Sequence, residues 1–208
     1  MPEPRELRNL VPFEVLAVVA IAVLPLPEQV PVALPLLVAG SLSRWVRGRS
    51  WADLARGPAA GATAGALAGA FALAAALLAG APVIESLVQR AVEWSAHPLV
   101  RGNASMLVMF AVYVTATAVS TELALRGWIV ERVLELSPGP PVLPVLVGAI
   151  AEALVTPGDL AARLGGGLFG VGLGWIYVAG GRNLLAPICA RVVFELGVVL
   201  LEALRVIG

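Results

Sequence analysis

The chain has no lysine, one histidine and one cysteine among 208 residues, and only 13% of its residues are charged. Each shortage excludes something. A single thiol, Cys189, can form neither an internal disulfide nor a cysteine metal cluster, and it reads as a packing residue. A lone imidazole, His97, stands before Pro98 between apolar stretches and reads as a surface group. The 14 basic residues, all arginine, balance 14 acids, so no basic field exists to attract phosphates and nucleic acid is not a partner. The glycine-rich runs lack a following lysine and lie inside apolar stretches, which rules out a phosphate cradle. The opening residues mix Glu3 and Glu6 with Arg5 and Arg8, and no small-residue cleavage site follows, so the first apolar stretch is expected to stay as an anchor.

What the chain does have is apolar length. Hydrophobic residues make up 59% of it and mean hydropathy is +0.91, which leaves too little polar surface to cover a soluble globule. The strand alternation of a membrane barrel is absent, so the backbone must be satisfied within helices. The expected fold is all-α: one integral membrane domain over 1–208, a transmembrane helical bundle of about seven spans, six to eight, with the bilayer as its surroundings. The spans are placed at 11–26, 30–46, 58–80, 104–123, 142–155, 165–178 and 184–204, the fifth and sixth being short. A short interfacial helix is expected at 83–94, with Trp94 at headgroup level.

Arginine placement gives an orientation. Arg44, Arg47, Arg49 and Arg56 cluster between the second and third spans, and the positive-inside rule puts that loop, the N-terminus, Arg132 and Arg182 in the cytoplasm of a cell whose inner membrane holds the protein. Glu28 and the Asp159 loop then fall outside, while Arg90, Arg101, Arg163 and Arg205 dilute the bias. Glycines repeat every fourth residue at Gly57, Gly61, Gly65 and Gly69, and again at Gly166, Gly170 and Gly174. Small residues at that spacing let a neighbouring helix approach closely.

Charges inside the apolar stretches are the most telling feature. Glu122 and Arg126 stand four apart at the end of a run from Met106 to Val119 that has no charge; Arg191 and Glu195 repeat the spacing in the last span, and Glu152 sits in the fifth. An ionised group near a bilayer centre costs roughly 2.5–3.5 kcal/mol on insertion scales, so each needs a partner, a wet cavity or a task. Glu122, Arg126, Arg191 and Glu195 are expected to converge into one buried network, with Glu152 a candidate fifth member, either a salt-bridge clasp that fixes helix register or a working site. Glu14 and Glu202, near span ends, are expected to reach water.

The run Thr121-Glu122-Leu-Ala-Leu-Arg126-Gly127-Trp128 resembles the first motif, E-E-x-x-x-R-G, of the CPBP family of CAAX-type prenyl-protein endopeptidases and bacteriocin-processing membrane proteins, which is a bacterial-type likeness here. Three further stretches resemble the family in order: Gly48 to Leu54 its short amphipathic link, Gly167 to Tyr177 its glycine-rich helix, and Leu185 to Glu195 its last motif, P-I-x-x-H-x-x-x-N or D. The likeness covers a core of 48–201. It implies an intramembrane protease in which paired glutamates and two histidines activate water, and in which zinc can take part. This chain departs from that pattern. Thr121 replaces the first glutamate, no histidine occurs near Ala151 to Val155, Arg191 stands at the second histidine's place and Glu195 at that of Asn or Asp. The ligands that would hold zinc are therefore missing, and no cofactor is expected. An arginine stays protonated and cannot act as general base.

Three readings follow. One is a CAAX protease-like pseudoenzyme that binds a membrane peptide, a lipid or a partner transmembrane helix. Another is an active intramembrane glutamyl endopeptidase using Glu122, with Arg126 or Arg191 polarising the carbonyl. The third is a small transporter or scaffold with a structural charge cluster. The candidate site residues in all three are Glu122, Arg126, Arg191, Glu195 and Glu152.

Overall fold

The computed structural model describes residues 11–23, 32–55, 59–89, 98–137 and 139–207. Gly57, Arg56, Glu28, Arg90, Trp94, His97 and the acids and arginines before Val11, on which several expectations rest, lie outside the described residues. Long alanine, leucine and valine stretches leave the backbone no polar partner but itself, and the chain answers with helices. The protein is an all-α membrane bundle.

Seven helical rods run through the described residues. They are α1 (Val11–Val23), α2 (Ala33–Val46), α3 (Ala59–Ala75 continued through a π-helical turn, Ala76–Gly80, into Ala81–Val88), α4 (Ala104–Ala124, a π-helical turn Leu125–Val130, then Glu131–Leu136), α5 (Val142–Val155), α6 (Leu160–Ala179) and α7 (Leu185–Ala203). By length and composition, three stretches can cross a membrane unaided: Ala60–Leu87, Ala104–Leu136 and Leu160–Ala179. Leu34–Val46 and Val142–Val155 are shorter apolar helices.

The boundaries show what ends a helix and what does not. Asn103 caps α4 by accepting a hydrogen bond from the Met106 amide at 3.2 Å, and Asp159 caps α6 through the Ala162 amide at 3.1 Å. That cap starts α6 at Leu160, five residues before the expected start of the sixth span. The charges at Glu122 and Arg126 do not stop α4, which runs on to Leu136, because those charges are paired inside the bundle rather than released to water. Likewise Ala81–Val88 extends α3 and is not a separate interfacial helix; Gln89, at φ 56°, turns the chain out of it. Between α2 and α3, Ser50 and Asp53 form a capping box over a 3-10 turn, Trp51–Leu54, where the amphipathic link was expected.

Two helix pairs have the most extensive packing: α3 lies along α7, and α5 lies along α6. Glycine makes both close. A side-chain carbon built on Gly65 or Gly69 would sit 2.1 Å from the backbone carbonyl oxygen of Ala186 or Ala190, so α3 rests directly on the α7 backbone. On the other pair, Gly166 faces Thr156, Gly170 faces Glu152 and Ala149, and Gly174 faces Val145. Gly61, by contrast, meets only the Asn183 side chain before α7 begins. Around these pairs α1, α2, α4 and α5 enclose a core of Val18, Leu36, Ala124, Leu125, Trp128, Ile129 and Ala151.

Candidate functional site

Five charged side chains meet where α4, α5 and α7 converge. Arg126 and Glu152 each lie ten residues inside the helix ends at Leu136 and Val142. Inside an apolar bundle unpaired charge is costly, and the pairing is dense. Arg126 Nη1 donates to Glu122 Oε1 at 3.0 Å and to Glu152 Oε2 at 2.6 Å, while its Nη2 donates to the Gly170 carbonyl at 2.9 Å. Arg191 donates from Nε to Glu122 Oε1 at 2.6 Å, from Nη2 to Glu152 Oε2 at 2.5 Å, and from Nη1 to Glu195 Oε1 at 3.2 Å. Its guanidinium also lies 5.4 Å from the centre of the Phe169 ring.

The local sequence explains the convergence. Both i, i+4 pairs, Glu122 with Arg126 and Arg191 with Glu195, point to one helical face. The π-helical turn Leu125–Val130 begins within the first pair and holds Arg126, as such turns often do at sites. Gly170 keeps α6 near enough to offer its carbonyl, since an added side chain there would meet Glu152 Cβ at 2.9 Å. Gly127, next to Arg126, is closed in by Trp51 and Leu184, and its carbonyl accepts from Arg44 at 3.4 Å. That glycine therefore has a packing role.

The structure brings all five expected residues together, but not on equal terms. Glu122 and Arg126 are fully buried. A cavity of about 700 Å³ opens between α3, α6 and α7, and Glu152, Arg191 and Glu195 line it with Ala72, Phe169 and Phe194 among others. Glu122 and Arg126 are not part of its wall. Glu122 Oε2 and Arg126 Nε, both buried, have no hydrogen-bond partner among the described residues.

The donor set does not fit zinc. No group of three His, Cys, Asp or Glu among the described residues is arranged to hold a metal ion, and the three carboxylates that meet here are each engaged by a guanidinium.

A second polar layer, which the sequence reading missed, lies at the arginine-rich end of the bundle. Glu14 accepts from Arg47 Nη1 at 2.6 Å and from Ser43 at 2.6 Å. Glu131 accepts from the Tyr177 hydroxyl at 2.6 Å and from Arg182 Nε at 2.8 Å, and its hydrogen bond with Arg182 holds that guanidinium above its ordinary range. Glu135 bridges Arg49 and Arg132, and Arg44 stacks 4.8 Å from the Trp51 ring centre. The signal was Glu131, Arg132 and Glu135 themselves, hidden because the fourth span was ended at residue 123. Glu202 is a correction of another kind: expected in water, it is fully buried and paired with Arg101 at 3.3 Å, because Pro98–Val100 folds back against α7.

Fold and site together define an integral membrane protein with a carboxylate–guanidinium centre beside an intramembrane cavity. Residues 103–197 match the family model described as Rce1-like, type II CAAX prenyl endopeptidase, which is similar to the group to which the motifs pointed. The matched region runs from the cap of α4 to Gly197 in α7 and so contains all five clustered residues. Comparison with curated proteins and with solved structures finds no match. The chain is thus a CAAX protease-like membrane protein.

Proposed function

We propose that this protein works by binding, not by hydrolysis: its cavity takes up an apolar membrane ligand, a lipid chain or a transmembrane peptide, beside a site that has lost its protease chemistry. One observation carries this reading: Arg191, at the place of a motif histidine, holds Glu122, Glu152 and Glu195 at once. A general base needs a lone pair aimed at its water, within about 2.6–3.2 Å. The Glu122 oxygen that faces the cluster already accepts from two guanidiniums, and Glu122 is not on the cavity wall. Glu152 does line the cavity, but its Oε2 is likewise shared by Arg126 and Arg191. Glu195 has an oxygen open to the cavity, but it stands where the resembled family's last motif has Asn or Asp and not at the motif glutamates. Neighbouring cations stabilise a carboxylate as an anion and weaken it as a base. The cavity, at about 700 Å³, is within the usual size range for ligand pockets and is walled mainly by Ala, Gly, Leu, Ile and Phe.

The test uses purified protein in lipid nanodiscs and a substitution that fills the cavity. Gly172 lines it, and a side-chain carbon built there meets nothing within 4 Å. Gly172→Phe is therefore expected to fold normally and to abolish saturable uptake of a radiolabelled long-chain alcohol, while the unmodified protein binds it and cleaves no prenylated or membrane peptide. Peptide hydrolysis lost in Glu122→Gln would instead establish the endopeptidase reading.

A further inference from the structure

The cavity wall is not uniformly apolar. Three carboxylates meet two guanidiniums in the cluster, so one negative charge is left over if all are ionised. On the cavity wall itself the ionisable groups are Glu152, Arg191 and Glu195. Their accessibility differs: Glu152 and Arg191 are almost fully covered, whereas the Glu195 side chain is 27% exposed. Hydrogen-bonding capacity differs too. Each of the three guanidinium nitrogens of Arg191 already donates to a carboxylate. Glu195 accepts one bond, from Arg191 to Oε1 at 3.2 Å, and Oε2 has no partner among the described residues. Arg191 keeps one N–H on each of Nη1 and Nη2 but is almost fully covered, so the ionisable group most open to the cavity is an acceptor, in surroundings where an unpaired anion is costly.

We infer that Glu195 receives the head of the ligand, and that the ligand is a single-chain amphiphile carrying a positively charged amine. The ammonium group sits against Glu195 Oε2 and pairs with its carboxylate. The hydrocarbon chain lies along the alanine face of α3, Ala72, Ala75, Ala76 and Ala79, opposite Leu168 and Phe169 of α6. An anionic head would meet the Glu195 carboxylate first, and the Arg191 charge is already shared among three acids, so charge complementarity selects the amine. This inference deepens the binding reading above and rests on it.

Equilibrium binding of radiolabelled dodecylammonium, dodecanol and dodecanoate to the protein in phosphatidylcholine nanodiscs, with empty nanodiscs subtracted, tests it. The ammonium is expected to bind at least about tenfold more tightly than the alcohol, the lower end for a charge-assisted hydrogen bond, with the carboxylate weakest. Glu195→Gln should erase that preference, and Glu195→Asp should retain it. Equal affinity for ammonium and alcohol in the natural protein, or a preference that survives Glu195→Gln, overturns the inference while leaving an apolar binding site in place. No binding of any of the three overturns the binding reading as well.

Discussion

Arg191 contacts carboxylates from α4, α5 and α7, so replacing it strands more buried charge than replacing any one of its partners. Breaking one side of a buried ion pair typically costs about 3–5 kcal/mol. Arg191→Met is expected at the upper end of that range in denaturant titrations of detergent-solubilised protein, and Glu122→Gln below it. The double variant should recover part of the loss, since Arg191 Nε and Glu122 Oε1 are 2.6 Å apart; strictly additive losses would show the pair to be uncoupled. Glu195→Gln should be the mildest, because Arg191 keeps two acids. The cluster was legible in the sequence because an ion inside an apolar stretch must find a partner, and the i, i+4 spacings fixed which faces carried the charges. The division of roles within it was not. Whether Glu122 or Glu195 faces the cavity depends on how α3, α6 and α7 lean apart, and no residue spacing encodes that. Glu202 misled for a similar reason: its partner Arg101 comes from a turn outside the spans.

At the scale of helices, the glycine spacing was the most faithful signal, and the structure ranks its members. Leucine at Gly65 or Gly69 would be driven into the α7 backbone, which has no side-chain freedom with which to yield. Gly170→Leu would press on Glu152 and Ala149 beside the charge cluster. Thermal aggregation in detergent should therefore show large losses for Gly65→Leu, Gly69→Leu and Gly170→Leu. Gly61→Leu should lose less, because only the Asn183 amide stands 3.3 Å from the added carbon, and Gly172→Leu should be tolerated. Uniform tolerance across these positions would mean that the helix contacts are not as described. Helix ends were less legible. Hydropathy locates apolar runs but not the caps and paired charges that let a helix run on, which is why α4 reaches Leu136 and α6 begins at Leu160.

Across the whole molecule, Glu14, Arg44, Arg47, Arg49, Arg132, Glu135 and Arg182 gather at one end of the bundle. From the positive-inside rule we propose that this end faces the cytoplasm. In a Cys189→Ser background, a cysteine at Arg49 should react with membrane-impermeant maleimide only after inside-out vesicles are made; labelling in intact cells would reverse the orientation. The same architecture pairs α3 with α7 and α5 with α6, each closed up at glycines, with the cavity in the seam between them. The Arg191–Glu152 bridge crosses that seam, so the two pairs are riveted at the charge cluster and the guest space lies to one side of the rivet.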